Sequence, residues 1–143
     1  GLAERERNRK LSLAERMVDD RLLDLDRRLP ANGAIRQVME HVGAHLEEPI
    51  GLKEAASIAH MNASYFSVLF KEQCGMTFRE YVIRRRVAKA KELLLSTDLS
   101  VEEIAAKVGY RNAKHFVEMF KEQTGMSPAR YRKWTGGEDE NGD

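Results

Sequence analysis

The stretch FKEQCGMTFREY at residues 70–81 returns almost unchanged as FKEQTGMSPARY at residues 120–131. When residues 52–81 are aligned with residues 102–131, twelve of thirty positions are identical and no gap is needed. Two copies are too few for a solenoid, which stacks more repeats. The pattern therefore indicates the duplication of one supersecondary unit, fifty residues apart.

Each copy is predicted to be a helix, a tight turn and a second helix. In the second copy, Ser100 and Glu103 form a capping box that starts a helix over residues 101–108. Gly109 stops that helix because glycine adopts the left-handed conformation at little cost. Asn112 then caps another helix, over residues 113–123. The first copy repeats this plan, with helices at 52–59 and 63–73 around a turn at 60–62.

The remaining sequence predicts further helices and no convincing strand. Thr77 and Glu80 form a second capping box, which starts a long helix over residues 78–95. Other helices are predicted at 34–46 and 128–134, the latter with Pro128 at its first position. Paired alanines at 55–56 and 105–106 are small enough to allow close helix approach. We therefore expect an all-α fold of about seven helices.

A short, steeply crossed helix pair of this kind is the helix-turn-helix, whose second helix enters the DNA major groove. The predicted connector at 78–95 spans about 27 Å at ~1.5 Å per residue. One turn of DNA is ~34 Å. A rigid rod of this length could therefore hold two recognition helices in successive major-groove segments.

Both copies and the connector between them resemble the DNA-binding domain of AraC/XylS-type bacterial transcription regulators. The motifs are Ala-x₃-Gly-Tyr from Ala105, Phe-x₃-Phe-Lys from Phe116, Gly-Met-Ser-Pro at 125–128 and Tyr-Arg at 131–132. The resemblance covers roughly residues 34–133. It implies seven helices with two helix-turn-helix motifs joined by a long helix, and sequence-specific binding of double-stranded DNA in the bacterial cytoplasm. It also suggests the output domain of a response regulator.

Carried onto this sequence, the resemblance assigns exposed reading positions to each second helix. They are Ser64, Ser67 and Val68 in the first copy and Ala113, Lys114, His115 and Glu118 in the second. Lysine can donate to guanine or phosphate, glutamate can accept from cytosine N4, and small apolar groups can touch a thymine methyl. Many family members have a basic residue where Val68 and Glu118 stand. The DNA sequence that this domain recognises is therefore not inferred from the operators of relatives.

Contacts to the DNA backbone, which set register and give salt dependence, are assigned to other basic residues. These are Lys71, Arg84, Arg111 and Lys121. The run RRRVAKAK at 84–91 resembles a nucleic-acid patch, but on a helix its charges spread around the circumference. We expect most of them on a solvated face.

Composition and motifs limit the other classes of function that the sequence could have. Residues 32–134 carry 16 Lys and Arg against 12 Asp and Glu, whereas residues 135–143 carry four acids and no base. A single cysteine, Cys74, excludes an internal disulfide and multi-cysteine metal sites. No nucleophile–base constellation or phosphate loop predicts an enzyme, and no cofactor is expected. His41 and His45 have zinc-compatible spacing without an evident third ligand, so we expect no metal site.

The sequence divides into three predicted regions: 1–31, 32–134 and 135–143. Residues 1–31 have a heptad-like spacing of apolar residues, namely Leu11, Val18, Leu22, Leu25 and Leu29. This spacing predicts a helix that dimerises or links domains, or one that only packs on its own domain. A sensor or receiver domain upstream and RNA polymerase are candidate partners, and the acidic tail is predicted to be disordered. The alternative function is a protein-interaction module that has lost DNA binding.

Overall fold

The structure, a computed structural model, describes residues 32–135. Seven helices account for its regular structure, and no strand occurs within that range. They are α1 (Gly33–Ala44), α2 (Leu52–Ile58), α3 (Ala63–Cys74), α4 (Phe78–Ser96), α5 (Val101–Lys107), α6 (Ala113–Thr124) and α7 (Pro128–Thr135). The all-α prediction is confirmed. The heptad-like segment and the acidic tail lie outside the described residues.

Both predicted capping boxes are formed, and they begin α4 and α5. The Thr77 hydroxyl accepts from the Glu80 backbone N–H at 3.1 Å, and Glu80 Oε1 accepts from the Thr77 N–H at 2.9 Å. The corresponding distances between Ser100 and Glu103 are 3.1 and 2.8 Å. Each box satisfies two backbone donors that the first helical turn leaves unpaired. The starts of these helices are therefore local properties of the sequence.

The left-handed residue stands one position later in the first helix-turn-helix turn than in the second, although the two copies align without a gap. In the first turn the left-handed residue is His60, at φ 59°. In the second it is Gly109, at φ 94°, which aligns with Ala59 and not with His60. A non-glycine side chain in this region is strained, so the first turn carries a cost that the second avoids.

Two hydrophobic cores follow each other along the chain. The first contains residues of α1, α2 and α3, together with Phe78, Tyr81 and Val82 from the start of α4. The second contains Val87, Ala90 and Leu94 from the rest of α4, together with residues of α5, α6 and α7. The connector helix α4 thus belongs to both cores. Of the four paired alanines, Ala55, Ala56 and Ala105 are buried while Ala106 is exposed.

The basic run on α4 is not mainly a solvated face, and that expectation is wrong. Arg86 and Lys91 are only 9% and 6% exposed, and Arg84 and Arg85 are half-buried. Lys89 is exposed and pairs with Glu92 on the same helix at 3.6 Å. Burial of Arg86 and Lys91 is tolerated because each cation faces an aromatic ring. Arg86 Cζ lies 5.4 Å from the centroid of the Tyr110 ring, and Lys91 Nζ lies 5.8 Å from that of the Tyr131 ring.

Candidate nucleic-acid interface

Helix α3 buries one face and exposes the other. Phe66, Phe70 and Cys74 point into the first core. The residues on the opposite face of the helix are exposed, among them Ser64, Tyr65, Ser67, Val68 and Lys71. Among the described residues, none covers Tyr65 or Val68 extensively, since their side chains are 57% and 59% exposed. Both side chains are therefore accessible to a binding partner.

Helix α6 has the same arrangement with different exposed chemistry. Phe116 and Phe120 are fully buried in the second core. Lys114, His115, Glu118 and Lys121 are exposed. Ala113 was expected to be exposed, and it is instead half-buried against the second core. The reason is its helical position, three residues before Phe116 on the same buried face.

Both helices are capped by an asparagine at their first turn. Asn62 Oδ1 accepts from the Tyr65 backbone N–H at 2.8 Å. Asn112 Oδ1 accepts from the N–H groups of Lys114 and His115 at 2.8 and 3.3 Å. The caps hold the side chains of these three residues at the N-terminal ends of the helices. The partial positive charge at a helix N-terminus favours a nearby anion, such as a DNA phosphate.

The predicted backbone-contacting residues fall in three places. Lys71 lies in the last turn of α3, and Lys121 occupies the same place in α6. Arg111 is exposed in the turn before α6, whereas Arg84 is half-buried in the second turn of α4. Lys71, Arg111 and Lys121 are thus at or near the ends of the two recognition helices, whereas Arg84 lies within the connector.

The surface around Glu80 in α4 carries charges of both signs. The pKa of the Glu80 carboxyl is lowered first by the hydrogen bond from the Thr77 backbone, and also by the nearby charges of Arg84 and Lys71. Because both cations act on one carboxylate, Lys71 and Arg84 lie on the same surface as Glu80. Glu80 therefore offsets part of the positive charge that those two residues present there.

Tyr65 was missed as a candidate contact residue, and the repeat itself contained the signal. Fifty residues separate it from His115, so the two side chains occupy equivalent positions on α3 and α6. His115 was assigned to the interface, whereas Tyr65 was not. Its exposure shows that the alignment between the two copies is the better guide.

Two other features do not add a site. His45 Nδ1 donates to the His41 carbonyl oxygen at 2.8 Å, and the two rings stack at 4.0 Å. Within residues 32–135, no cluster of three or more His, Cys, Asp or Glu side chains could hold a metal ion. None of the helices described here has both the length and the apolar character needed to cross a membrane.

Comparison with known proteins identifies this arrangement. A family model described as a helix-turn-helix domain matches residues 55–133, more than half of the chain. The chain belongs to the AraC-type helix-turn-helix family. The predicted resemblance is thus confirmed, and with it the assignment to a DNA-binding domain of bacterial transcription regulators.

Individual relatives of this AraC-type domain agree with the assignment. The chain is 34% identical over 76 residues to the regulatory protein PocR of Salmonella typhimurium, covering 53% of this chain and 25% of PocR. It thus spans about a quarter of the length of this relative.

Solved structures agree as well. The C-terminal domain of AraT, a response regulator from Geobacillus stearothermophilus, matches with a TM-score of 0.68 and 33% identity, covering 70% of this chain and 84% of that one. The DNA-binding domain of AdpA, solved with a target DNA, matches with a TM-score of 0.66 and 32% identity, covering 68% and 88%.

Proposed function

We propose that residues 32–134 form a domain that binds double-stranded DNA sequence-specifically, with α3 and α6 in successive major-groove segments. The observation that carries this proposal is the exposure of equivalent faces on both recognition helices, each opposite a buried pair of phenylalanines. The 19-residue connector α4 is about 28 Å long at ~1.5 Å per residue. That length is comparable to the ~34 Å between successive major-groove segments on one face of the duplex.

The two helices would read DNA by different chemistry. On α6, Lys114 can donate to guanine O6 and N7 or to a phosphate, and Glu118 can accept from cytosine N4. On α3, Ser64 and Ser67 offer hydroxyls that suit several bases, whereas Val68 can contact a thymine methyl. We therefore propose that α6 contributes the larger part of direct base discrimination.

Tyr65 and His115 would act at the edges of these surfaces. Each lies in the first turn of its helix, next to a capped N-terminus. A tyrosine hydroxyl or a histidine N–H in that place can donate to a phosphate oxygen and fix the register of the helix. We include both residues in the proposed interface, together with the basic residues Lys71, Arg84, Arg111 and Lys121.

The proposal is tested by selecting bound duplexes from a random DNA pool. Two short conserved segments separated by about one helical turn are the expected result. Titration of the selected operator against unrelated competitor DNA then measures specificity. If unrelated DNA displaces the operator equally well at equal concentration, sequence-specific binding is refuted.

Salt dependence separates this function from a protein-interaction module. Each neutralised phosphate contributes a slope of about −0.9 in log affinity against log salt. We expect a slope of several units for the operator, and a reduction of about one unit for each of Lys71→Ala and Lys121→Ala. Absence of DNA binding at low salt would favour the alternative, in which exposed Tyr65 and Val68 contact a protein.

We further propose that residues 1–31 mediate dimerisation, on the heptad-like spacing of their apolar residues. Sedimentation equilibrium of the chain with and without this segment measures the effect. Loss of a dimer on removal is the expected result, and equal oligomeric states for both forms would contradict it.

A sensor or receiver domain is also proposed as a partner of this domain, because the similar AraT domain is described as part of a response regulator. RNA polymerase is proposed as a second partner.

A further inference from the structure

The relative orientation of the two helix-turn-helix units needs a physical cause. Among the described helices, none of α1, α2 or α3 packs extensively on α5, α6 or α7, and each unit instead packs on α4. The first core ends on α4 at Val82 and the second begins at Val87. Apart from α4, few contacts therefore link the two units. Those made at the junction between Val82 and Val87, where one core ends and the other begins, are the ones that can set the orientation of the units.

Arg86 occupies this junction and contacts both units. Its Nη2 donates to the Glu48 carbonyl oxygen at 3.1 Å, in the segment between α1 and α2. Its Nη1 lies 3.4 Å from the Gly109 carbonyl oxygen, in the turn between α5 and α6. The guanidinium also faces the Tyr110 ring. One planar side chain thus links segments 38 residues before and 23 residues after it in the sequence.

The backbones of the two units also approach each other at this point. A Cβ added to Gly109 would lie 2.5 Å from the Leu46 carbonyl oxygen and 2.8 Å from Arg86 Cζ. Only a residue without a side chain allows the second turn to come this close to the segment after α1. The glycine and the arginine therefore belong to one contact between the two units.

A purely stabilising role does not explain Arg86 well. Its Nε is buried and has no hydrogen-bond partner. Burying a guanidinium with one donor unpaired is costly, and an apolar residue of similar volume often gives equal or greater stability. What the arginine supplies is geometry, because a planar fork with two fixed donors holds two carbonyl groups in a defined relation.

We propose that Arg86 is a positioning residue that fixes the orientation of α3 relative to α6, and thereby the spacing of the two DNA segments that the domain reads. It does not touch DNA itself. The orientation part stands on the contacts within the domain alone. The spacing part rests on the proposed function.

The first experiment measures orientation without DNA. Spin labels are attached to cysteines at Glu72 and Glu122, which are exposed and equivalent in the repeat, in a Cys74→Ala background. Double electron–electron resonance gives the distribution of distances between them. Arg86→Met is expected to broaden or shift the distribution relative to the wild type. Lys89→Met is the control, because it removes an exposed charge from the same helix and Lys89 pairs only with Glu92 on that helix. This variant is expected to have the same distance distribution as the wild type.

An unchanged distribution in Arg86→Met, with wild-type helicity by circular dichroism, would overturn the proposal. Should that variant not fold, Arg86→Lys takes its place, because it keeps the charge and loses the planar fork. It is expected to give an intermediate broadening. A distribution identical to the wild type would again refute the role of Arg86.

The second experiment uses the selected operator and versions with one base pair inserted or deleted between its two segments. In the wild type, each change is expected to lower affinity by about tenfold or more, as for a mismatched site. In Arg86→Met the affinity for the original spacing falls, and the penalty for altered spacing shrinks to about threefold or less. Equal penalties in both proteins would contradict the spacing role. A wild type that selects no two-segment operator would instead refute the proposed function, while the distance measurement still decides the role of Arg86.

Discussion

The two helix-turn-helix units share their buried aromatic contacts and differ at their exposed faces. Phe70 and Tyr81 meet edge to face with centroids 5.5 Å apart, and Phe120 and Tyr131 do the same at the same distance. The phenylalanines within each recognition helix are also matched, at 5.7 Å in α3 and 5.9 Å in α6. The aromatic residues that the duplication kept identical are therefore among those that hold each unit together.

The differences lie where a partner would be contacted. Along the exposed faces, Ser64 aligns with Lys114, Tyr65 with His115 and Val68 with Glu118. Lys71 and Lys121 are common to both faces, but the positions that differ are neutral and partly apolar on α3 and charged or polar on α6. Two copies of one unit with one kind of interior can hence present different surfaces, which under the proposed function would let a single domain read two different DNA segments.

Removing a shared aromatic contact should have the largest effect, and it should be similar in both units. Phe70→Ala and Phe120→Ala are each expected to lower the free energy of unfolding by about 4 kcal/mol, from lost burial plus the cavity left behind. Urea denaturation followed by circular dichroism measures this. Tyr65→Ala is the exposed control, with an expected change within about 0.5 kcal/mol. A loss under about 1.5 kcal/mol in one unit alone would show that the two interiors are not equivalent.

The second prediction concerns the close approach at the second turn. Gly109→Ala is expected to cost about 3 kcal/mol of unfolding free energy, from left-handed strain plus overlap with the Leu46 carbonyl oxygen. Gly125 has a similar φ of 87° but open space around it, so Gly125→Ala should cost only about 1 kcal/mol. Thermal denaturation of both variants isolates the overlap term. Equal losses would contradict the close approach.

The third prediction compares the two exposed faces. Replacing Lys114 and His115 with alanine is expected to weaken operator binding by about 1–3 kcal/mol, because a directed donor and a phosphate contact are lost. The same change at Ser64 and Ser67 should cost less than about 1 kcal/mol. Fluorescence anisotropy with labelled operator measures both.

Lys89→Ala serves as the charge control for that comparison and should bind like the wild type. Unchanged affinity in the Lys114 and His115 variant, with an intact fold, would refute the assignment of α6 as the main reading helix. A larger loss from the serine pair than from the α6 pair would reverse the proposed division between the two helices.

The smallest expected effect concerns the capping boxes at the starts of α4 and α5. The pKa values of Glu80 and Glu103 are lowered below the ordinary 4.5, chiefly by hydrogen bonds from the Thr77 and Ser100 backbones. A carboxyl with a lowered pKa in the folded state stabilises the protein above its unfolded pKa, and this contribution is lost as pH falls through the folded pKa. Stability should therefore decline as the pH falls through the ordinary pKa of 4.5 and below it.

Glu80→Gln combined with Glu103→Gln tests this prediction, because glutamine can still accept the capping hydrogen bond but does not titrate. The unfolding midpoint of the double variant should lie below that of the wild type near neutral pH, where the ionised carboxylates stabilise the wild type, and should approach it as the pH falls. An identical acid dependence for the two proteins would show that these carboxylates do not contribute to it.

All seven described helices could be predicted without coordinates. Capping boxes, glycine stops and the spacing of phenylalanines are local signals, and they placed helix ends within about two residues, the usual ambiguity of such boundaries. The family resemblance also assigned Lys114, His115 and Glu118 to exposed positions, and their side chains are exposed as expected. Tyr65 was missed and Ala113 was expected to be exposed, because exposure depends on packing against residues far away in the sequence.

The sequence alone determined the helical class and the two helix-turn-helix units, since caps, glycine stops and apolar spacing act within a few residues, and it determined the duplication, since alignment of the chain with itself is enough to detect it. Only the tertiary structure decided which charges on α4 are buried. Arg86 is buried because Glu48, Gly109 and Tyr110 come together around it, and Lys91 because the Tyr131 ring lies beside it. A charge can leave water only where partners from distant segments replace its hydration. Such a meeting is a property of the folded chain and not of any short stretch within it.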